Sequence, residues 1–275
     1  MSERLALPLP KLIAIDLDGT VLNSMGKISQ RTKAAINEVR DRGIRVVIVT
    51  YRAYRSAKPH AAELGLHVPL ICVNGALVKD ASDDSVLEEF SLDRDAAREA
   101  VDYGLAHGYD TCLYIGEHYV ATADIVSKYG GGWEKHQWLT TPDLRKALEH
   151  PTLMVRYFGD NRFEQARLDL RHLDLEEVDD MIDDVFELTF MHKGMSKHFA
   201  LERFAADLGI AREDVMAIGD GALDAGMVGW AGWGVAMANG AQVTRDVANE
   251  VTLSNDDDGV AVVLERLLKS AYEDL

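Results

Sequence analysis

Two carboxylates, Asp16 and Asp18, stand one residue apart where an apolar run stops, in Leu12-Ile13-Ala14-Ile15-Asp16-Leu17-Asp18-Gly19-Thr20. Four β-compatible residues followed by Asp and Gly read as a buried strand that ends at a tight turn. Open α/β sheets bind ligands at such carboxyl ends. Residues i and i+2 of a strand face the same way, so Asp16 and Asp18 converge on one small volume unless the turn has already begun. Carboxylates that close repel, which calls for a divalent cation, a shared proton, or both. The plain alternative is a solvated, acid-rich strand end. A second apolar run, Val215-Met216-Ala217-Ile218, also stops at an acid, in Gly219-Asp220-Gly221, with Asp224 four residues further on.

The elements that must position these acids alternate. Ser29 caps a helix whose apolar positions Ala35, Ile36 and Val39 share a face, and Gly43 ends it. Ile44 to Thr50 has the near-continuous aliphatic pattern of a strand covered on both faces. A helix from about Ala53 to Leu64, closed by Gly65, leads to the strand Leu70 to Val73. This β-α-β-α-β order predicts right-handed crossovers and a doubly wound, mostly parallel, Rossmann-like sheet. After Asn74-Gly75 the pattern changes: Ala76 to Lys79 and Val86 to Phe90 form a hairpin leading out of the sheet. Residues 85–190 read as an inserted α+β domain. Its strands are Asp110 to Ile115, Tyr119 to Ala121, Leu153 to Phe158 and Val185 to Met191. A Gly130-Gly131-Gly132 break and a helix near Arg162 to Leu173 complete it, and Glu176 to Asp184 reads as a solvated acidic loop. The parallel pattern resumes with a helix from Ser196 to Leu208, the Val215 strand, short strands at Gly234 to Met237 and Val251 to Leu253, and a closing helix from Val260 to Tyr272. Residues 1–84 and 191–275 thus form one α/β core, with 85–190 inserted.

The chain of 275 residues is long enough for two domains, and 47% hydrophobic residues with six prolines fit a globular protein. A formal net charge of −17 disfavours nucleic acid and anionic membrane as partners. A phosphorylated ligand therefore needs local attraction. Cys72 and Cys112, both among apolar residues, read as buried free thiols rather than a disulfide or metal site. No apolar run reaches membrane-spanning length and no basic leader precedes one, so a soluble, cytoplasmic protein is expected.

Asp16-Leu17-Asp18-Gly19-Thr20, Thr50 at the end of the second strand, Lys197 at a helix start, and Gly219-Asp220-Gly221 with Asp224 occur in that order. Together they resemble the haloacid dehalogenase superfamily. The block between Asn74-Gly75-Ala76 and Lys193-Gly194-Met195-Ser196-Lys197 is similar to the Cof-type subgroup with a type IIB cap, and the likeness extends through Asn255-Asp256-Asp257-Asp258-Gly259-Val260. The resemblance implies a phosphatase. Asp16 would attack phosphorus and become an aspartyl phosphate, and Asp18 would protonate the departing alcohol and later take a proton from water. Asp16, the Asp18 carbonyl and Asp220 would hold Mg²⁺, which suits an oxygen-only donor set. Thr50 would give its hydroxyl and backbone N–H to the phosphate, and Lys197 would neutralise the nucleophile and the transferring group. A surface lysine at a helix N-terminus is the plain alternative, which the helix dipole disfavours. Asp224 would support the metal through water or orient Lys197; otherwise it is simply an acid in the first turn of a helix.

Two positions depart from the family pattern. Thr50-Tyr51-Arg52 replaces the usual Thr-Gly-Arg, so Tyr51 is expected to narrow the phosphate pocket. Leu223 stands where an Asn usually bonds phosphate. Arg52 then either grips substrate or forms a salt bridge on the helix face. Trp133, His136 and Trp138 could line a loop near the cleft, although tryptophans more often pack in a core; His192 and His198 flank the lysine. The expected activity is Mg²⁺-dependent hydrolysis of a small phosphorylated metabolite, a sugar phosphate by family analogy, by a monomer or small homo-oligomer. The alternatives are a phosphomutase and a catalytically weakened phosphate-ligand binder.

Overall fold

Val215 to Gly219 lies beside Leu12 to Ile15 because both are uninterrupted apolar segments that must be covered on both faces. The computed structural model describes residues 9–130, 137–159, 163–182 and 185–270. In chain order it contains β1 (Leu12–Ile15), α1 (Gln30–Asp41), β2 (Arg45–Ile48), α2 (Tyr54–Glu63), β3 (Pro69–Cys72), β4 (Leu77–Asp80) and β5 (Val86–Glu89). There follow α3 (Arg94–Ala106), β6 (Asp110–Ile115), β7 (His118–Ala121), α4 (Ala123–Tyr129), β8 (Trp138–Thr140), α5 (Leu144–Ala147), β9 (Thr152–Gly159), α6 (Glu164–Leu170), β10 (Leu175–Ile182) and β11 (Val185–His192). The chain closes with α7 (Lys197–Asp207), β12 (Val215–Gly219), α8 (Ala225–Trp230), β13 (Trp233–Ala236), α9 (Gln242–Val247), β14 (Glu250–Val251) and α10 (Gly259–Ser270).

The chain divides into two units, Met1–Arg52, Ala57–Leu87 and Ser196–Leu275 in the first and Ala53–Ser56 with Glu88–Met195 in the second. In the first, five strands run parallel in the order β14-β13-β12-β1-β2. A parallel bridge, Val49 to Ile71, leads on to a separate sheet of β3, β4 and β5. Leu12, Ala14, Val47, Val49 and Ala217 pack under α7 and α8. The alternate positions Ile13, Ile15, Val46, Ile48, Met216 and Ile218 are equally buried, and α1 packs with α10. Helices therefore cover a parallel sheet, as the alternating pattern requires.

The second unit holds a six-stranded sheet, β10-β11-β9-β6-β7-β8, antiparallel except for β7 with β8. Leu113, Val155, Tyr157, Leu188 and Phe190 form its core with residues of α3 and α6. The acidic segment expected as a solvated loop is in fact the edge strand β10, paired with β11 from Leu175 through Ile182. Its Val178 is buried, while Glu177 and Asp179 both pair with Arg167. Charged side chains on an edge strand block pairing with a further chain, so this composition suits the position. Asp183 and Asp184 lie outside the described residues, as do Gly131, Gly132, Trp133 and His136. Trp138 packs on Tyr119, with ring centroids 5.1 Å apart. Among the described residues no helix is long and apolar enough to cross a membrane.

Candidate active site

Asp16 is the residue at which β1 leaves the sheet. Its amide still bonds Ile218 O of β12 (3.0 Å), and its side chain is 5% exposed. The chain then turns at once, with Leu22 N–H returning to Leu17 O at 2.8 Å. The turn passes through Gly19, whose φ of 74° lies in the left-handed region. A Cβ there would sit 2.2 Å from Asp220 Oδ2, so only glycine lets the β1 turn lie against the acid that follows β12. Thr20 Oγ1 fixes that acid from the other side, donating to Asp220 Oδ1 at 2.6 Å.

Asp224 folds back onto the end of β12. Its Oδ2 accepts the amides of Asp220 (3.0 Å) and Gly221 (2.8 Å), and its Oδ1 accepts from Lys197 Nζ at 2.6 Å. Lys197 opens α7 behind the N-cap Ser196, and its Nζ also donates to Asp16 Oδ1 at 2.6 Å. Lys197, Asp16 and Asp224 are all buried. Carboxylate oxygens of Asp16, Asp220 and Asp224 lie within 4.8 Å of one another. Three acids against one ammonium leave an excess of negative charge, and Asp16 and Asp220 register it. Burial, with Asp224 and Asp220 nearby, raises the Asp16 carboxyl well above its usual range against the opposing pull of Lys197. Burial pushes Asp220 up to about 6, with Asp224 adding to the shift and Thr20 opposing it. Burial opposes the charge on Lys197, but Asp16 and Asp224 outweigh it and raise the ammonium above its ordinary value.

These residues fit a divalent cation. The donors are all oxygen, the electrostatic deficit has the right sign, and the Gly19 cradle keeps the Asp220 carboxylate against the β1 turn. Both oxygens of Asp224 are committed to Lys197 and backbone amides, so Asp16 and Asp220 are the carboxylates with capacity left for an ion.

Asp18 does not join them. The turn begins immediately after Asp16, so the alternation of the strand is lost and the Asp18 side chain is 56% exposed. Arg52 holds it by both oxygens, Nε donating to Oδ2 at 2.5 Å and Nη2 donating to Oδ1. The partner of Asp18 is thus a cation rather than a second carboxylate, and the Arg52 salt bridge runs to the β1 turn rather than along a helix face. His60, which the sequence reading overlooked, faces Arg52 Nη1 from Nε2 at 3.2 Å. Burial and Arg52 lower its basicity.

Thr50 is buried at the end of the second strand, but its amide donates to Ile71 O at 2.8 Å. That corrects the expectation of a phosphate-directed N–H: the β2 ladder toward β3 runs one residue further than the motif suggested. The Thr50 hydroxyl accepts Arg52 N–H at 3.1 Å, which leaves its own proton to donate. Tyr51 and Leu223 are both half-buried. His192 sits by Phe90 and His198 by Trp230. Asn239, also overlooked, donates to Gly19 O at 2.8 Å and so braces the β1 turn. A polar residue in a short loop after a strand was the only signal for it.

Residues 13–264 match the family model of the haloacid dehalogenase-like hydrolases. The chain belongs to that family. It is 30% identical over 270 residues to the 5-amino-6-(5-phospho-D-ribitylamino)uracil phosphatase YitU of Bacillus subtilis, covering 93% of this chain and 97% of that one. Among solved structures, a haloacid dehalogenase-like hydrolase from Bacteroides thetaiotaomicron is 26% identical with a TM-score of 0.82, over 94% of this chain and 99% of that one. The subclass IIB sugar phosphatase BT4131 shares the fold at 20% identity and a TM-score of 0.77, over 93% and 98%. As a haloacid dehalogenase-like hydrolase the chain is an enzyme, with the mixed α/β, Rossmann-like architecture of its capped structural relatives.

Proposed function

We propose that this hydrolase is a Mg²⁺-dependent phosphatase of small phosphorylated metabolites, working through an aspartyl phosphate on Asp16. The observation that carries the reading is the buried Asp16 carboxylate, aligned by Lys197 at 2.6 Å within a cluster of three acids. One Asp16 oxygen attacks phosphorus as the bond to the ester oxygen breaks; the alcohol leaves with a proton from Asp18. Water then attacks the same phosphorus, Asp18 takes its proton, and phosphate departs with Asp16 restored. Lys197 shares the negative charge of nucleophile and phosphoryl group, and Asp224 keeps Lys197 in place. The Thr50 hydroxyl donates to the phosphate. Arg52 must release Asp18 for proton transfer, and substrate anion competing for the guanidinium is the simplest way to do so. Asp16, Asp220 and the Asp18 carbonyl would hold Mg²⁺, which supplies charge neutralisation for attack on an anion.

Residues 85–190 act as the cap, and the protein works in the cytoplasm as a monomer or small homo-oligomer with neither nucleic acid nor membrane as partner. Sugar phosphates and phosphorylated ribityl compounds are the substrates to try first, the latter because YitU is named for one. The competing reading is a weakened phosphate-ligand binder, favoured by the engaged Thr50 amide and by Leu223. Phosphate release across a panel of such esters, with Asp16→Asn as control, decides between them: turnover above the control supports the phosphatase, and its absence with retained ligand binding supports the binder.

A further inference from the structure

The turn after β3 runs through three consecutive left-handed residues, Val73 (φ 54°), Asn74 (φ 52°) and Gly75 (φ 100°). Glycine adopts such angles freely and asparagine tolerates them, but a β-branched valine is a genuine outlier there. Such strain persists only where the surroundings over-determine it, and it gathers at functional sites. The surroundings are specific. Val73 N–H donates to Arg52 O at 2.9 Å, and Asn74 N–H donates to Thr50 O at 3.2 Å. A Cβ on Gly75 would lie 2.4 Å from the carbonyl of Ser196, the residue that caps the helix bearing Lys197. The turn therefore joins the Thr50–Arg52 bend to the first turn of α7.

At its centre Asn74 is 3% exposed, and its Oδ1 is buried with no hydrogen-bond partner among the described residues. Buried polar atoms are nearly always paired, by protein, ordered water or ligand, so this one is an acceptor with capacity left for an incoming donor. A carboxamide oxygen accepts. A phosphate dianion has no proton to give it, whereas a hydroxyl on the alcohol portion of a substrate does.

We propose that Asn74 is a specificity-determining residue whose Oδ1, held buried by the strained 73–75 turn between Thr50 and the start of α7, accepts a hydrogen bond from a hydroxyl of a polyol or sugar phosphate. The proposal rests on the assignment of this site to phosphate esters. Its test is calorimetric titration of the full chain with Mg²⁺ in an Asp16→Asn background, which removes turnover, using ribitol 5-phosphate and phenyl phosphate as ligands. Asn74→Gly keeps the left-handed backbone accessible. It should weaken ribitol 5-phosphate about tenfold, the loss of one hydrogen bond, and phenyl phosphate less than twofold. Asn74→Asp keeps an acceptor, so the ratio of the two affinities should survive even where the added charge weakens both. Equal weakening of both ligands by Asn74→Gly, no weakening of either, or no preference for ribitol 5-phosphate before substitution overturns the proposal. Failure of the phosphatase reading would show separately, as no phosphate release from either ester by the unsubstituted chain.

Discussion

Lys197→Met tests the electrostatic core of the site. The side chain is 4% exposed and donates to two carboxylates, themselves 5% and 1% exposed, at 2.6 Å each. Methionine fills much of the same volume but leaves Asp16 and Asp224 buried beside each other without their cation. Breaking a buried pair by removing one partner costs about 3–5 kcal/mol. For a chain of this order each kcal/mol moves Tm by about 2–4 °C, so a fall of roughly 6–20 °C is expected in EDTA by circular dichroism. Adding Asp224→Asn removes one stranded charge, and the double variant should melt above Lys197→Met by more than additivity allows, with a coupling of about 0.5–3 kcal/mol. Mg²⁺ should recover part of the deficit as well, because a cation bound only to the folded state stabilises by mass action. A Lys197→Met protein melting within about 2 °C of the wild type in EDTA, or a strictly additive double variant, would refute the reasoning.

Asp220 makes a pH prediction of definite sign. Its folded value of about 6 exceeds the ordinary 3.8, so between those values the folded chain binds more protons than the unfolded chain. Stability from this group therefore falls as pH rises from about 4 to 6, by up to about 3 kcal/mol. The metal-free protein should gain stability on acidification through that window relative to Asp220→Asn, and Mg²⁺ affinity should drop over the same range as protons compete; parallel melting curves for the two proteins would contradict this. Gly19→Ala places a methyl 2.2 Å from Asp220 Oδ2 at a φ of 74°, and calorimetry should find Mg²⁺ binding at least tenfold weaker; unchanged affinity would remove Gly19 from the account. Arg52→Ala frees a carboxylate that is 56% exposed, so Tm should shift by no more than about 3 °C. Steady-state kinetics with a sugar phosphate should nevertheless show kcat or KM altered at least tenfold, and an Arg52→Ala enzyme with unaltered constants would dismiss the Asp18 clamp.

Much of this site was legible because its residues sit at strand ends. An apolar run that stops at an acid marks a carboxyl end of a parallel sheet, and β1 and β12 proved to be direct neighbours, which brings Asp16 and Asp220 together. Lys197 was legible as a cation where the helix dipole opposes one. The place of the Asp18 side chain was legible only as two alternatives, because strand alternation applies only while the strand lasts and here it ends at Asp16. The Thr50 amide was assigned to the phosphate instead of to Ile71 because one extra rung of sheet cannot be read from side-chain pattern. β10 was misread because its acids mask a sparse alternation in which Val178 is buried between the part-exposed Glu177 and the exposed Asp179. The short helices α4, α5, α8 and α9 hold too few turns to display a period. Asn74 was legible only as a turn residue, because its neighbours Thr50 and Ser196 come from other elements, and the approach of His60 to Arg52, eight residues earlier, depends on how the chain bends before α2.

The central claim is that Asp16 becomes phosphorylated during turnover. Rapid quenching of the enzyme with Mg²⁺ and a turned-over ester, followed by borohydride trapping and peptide mass spectrometry, should place the label on Asp16 and abolish it in Asp16→Asn. Phosphate release without any label on Asp16, or a label on another residue, would contradict the account.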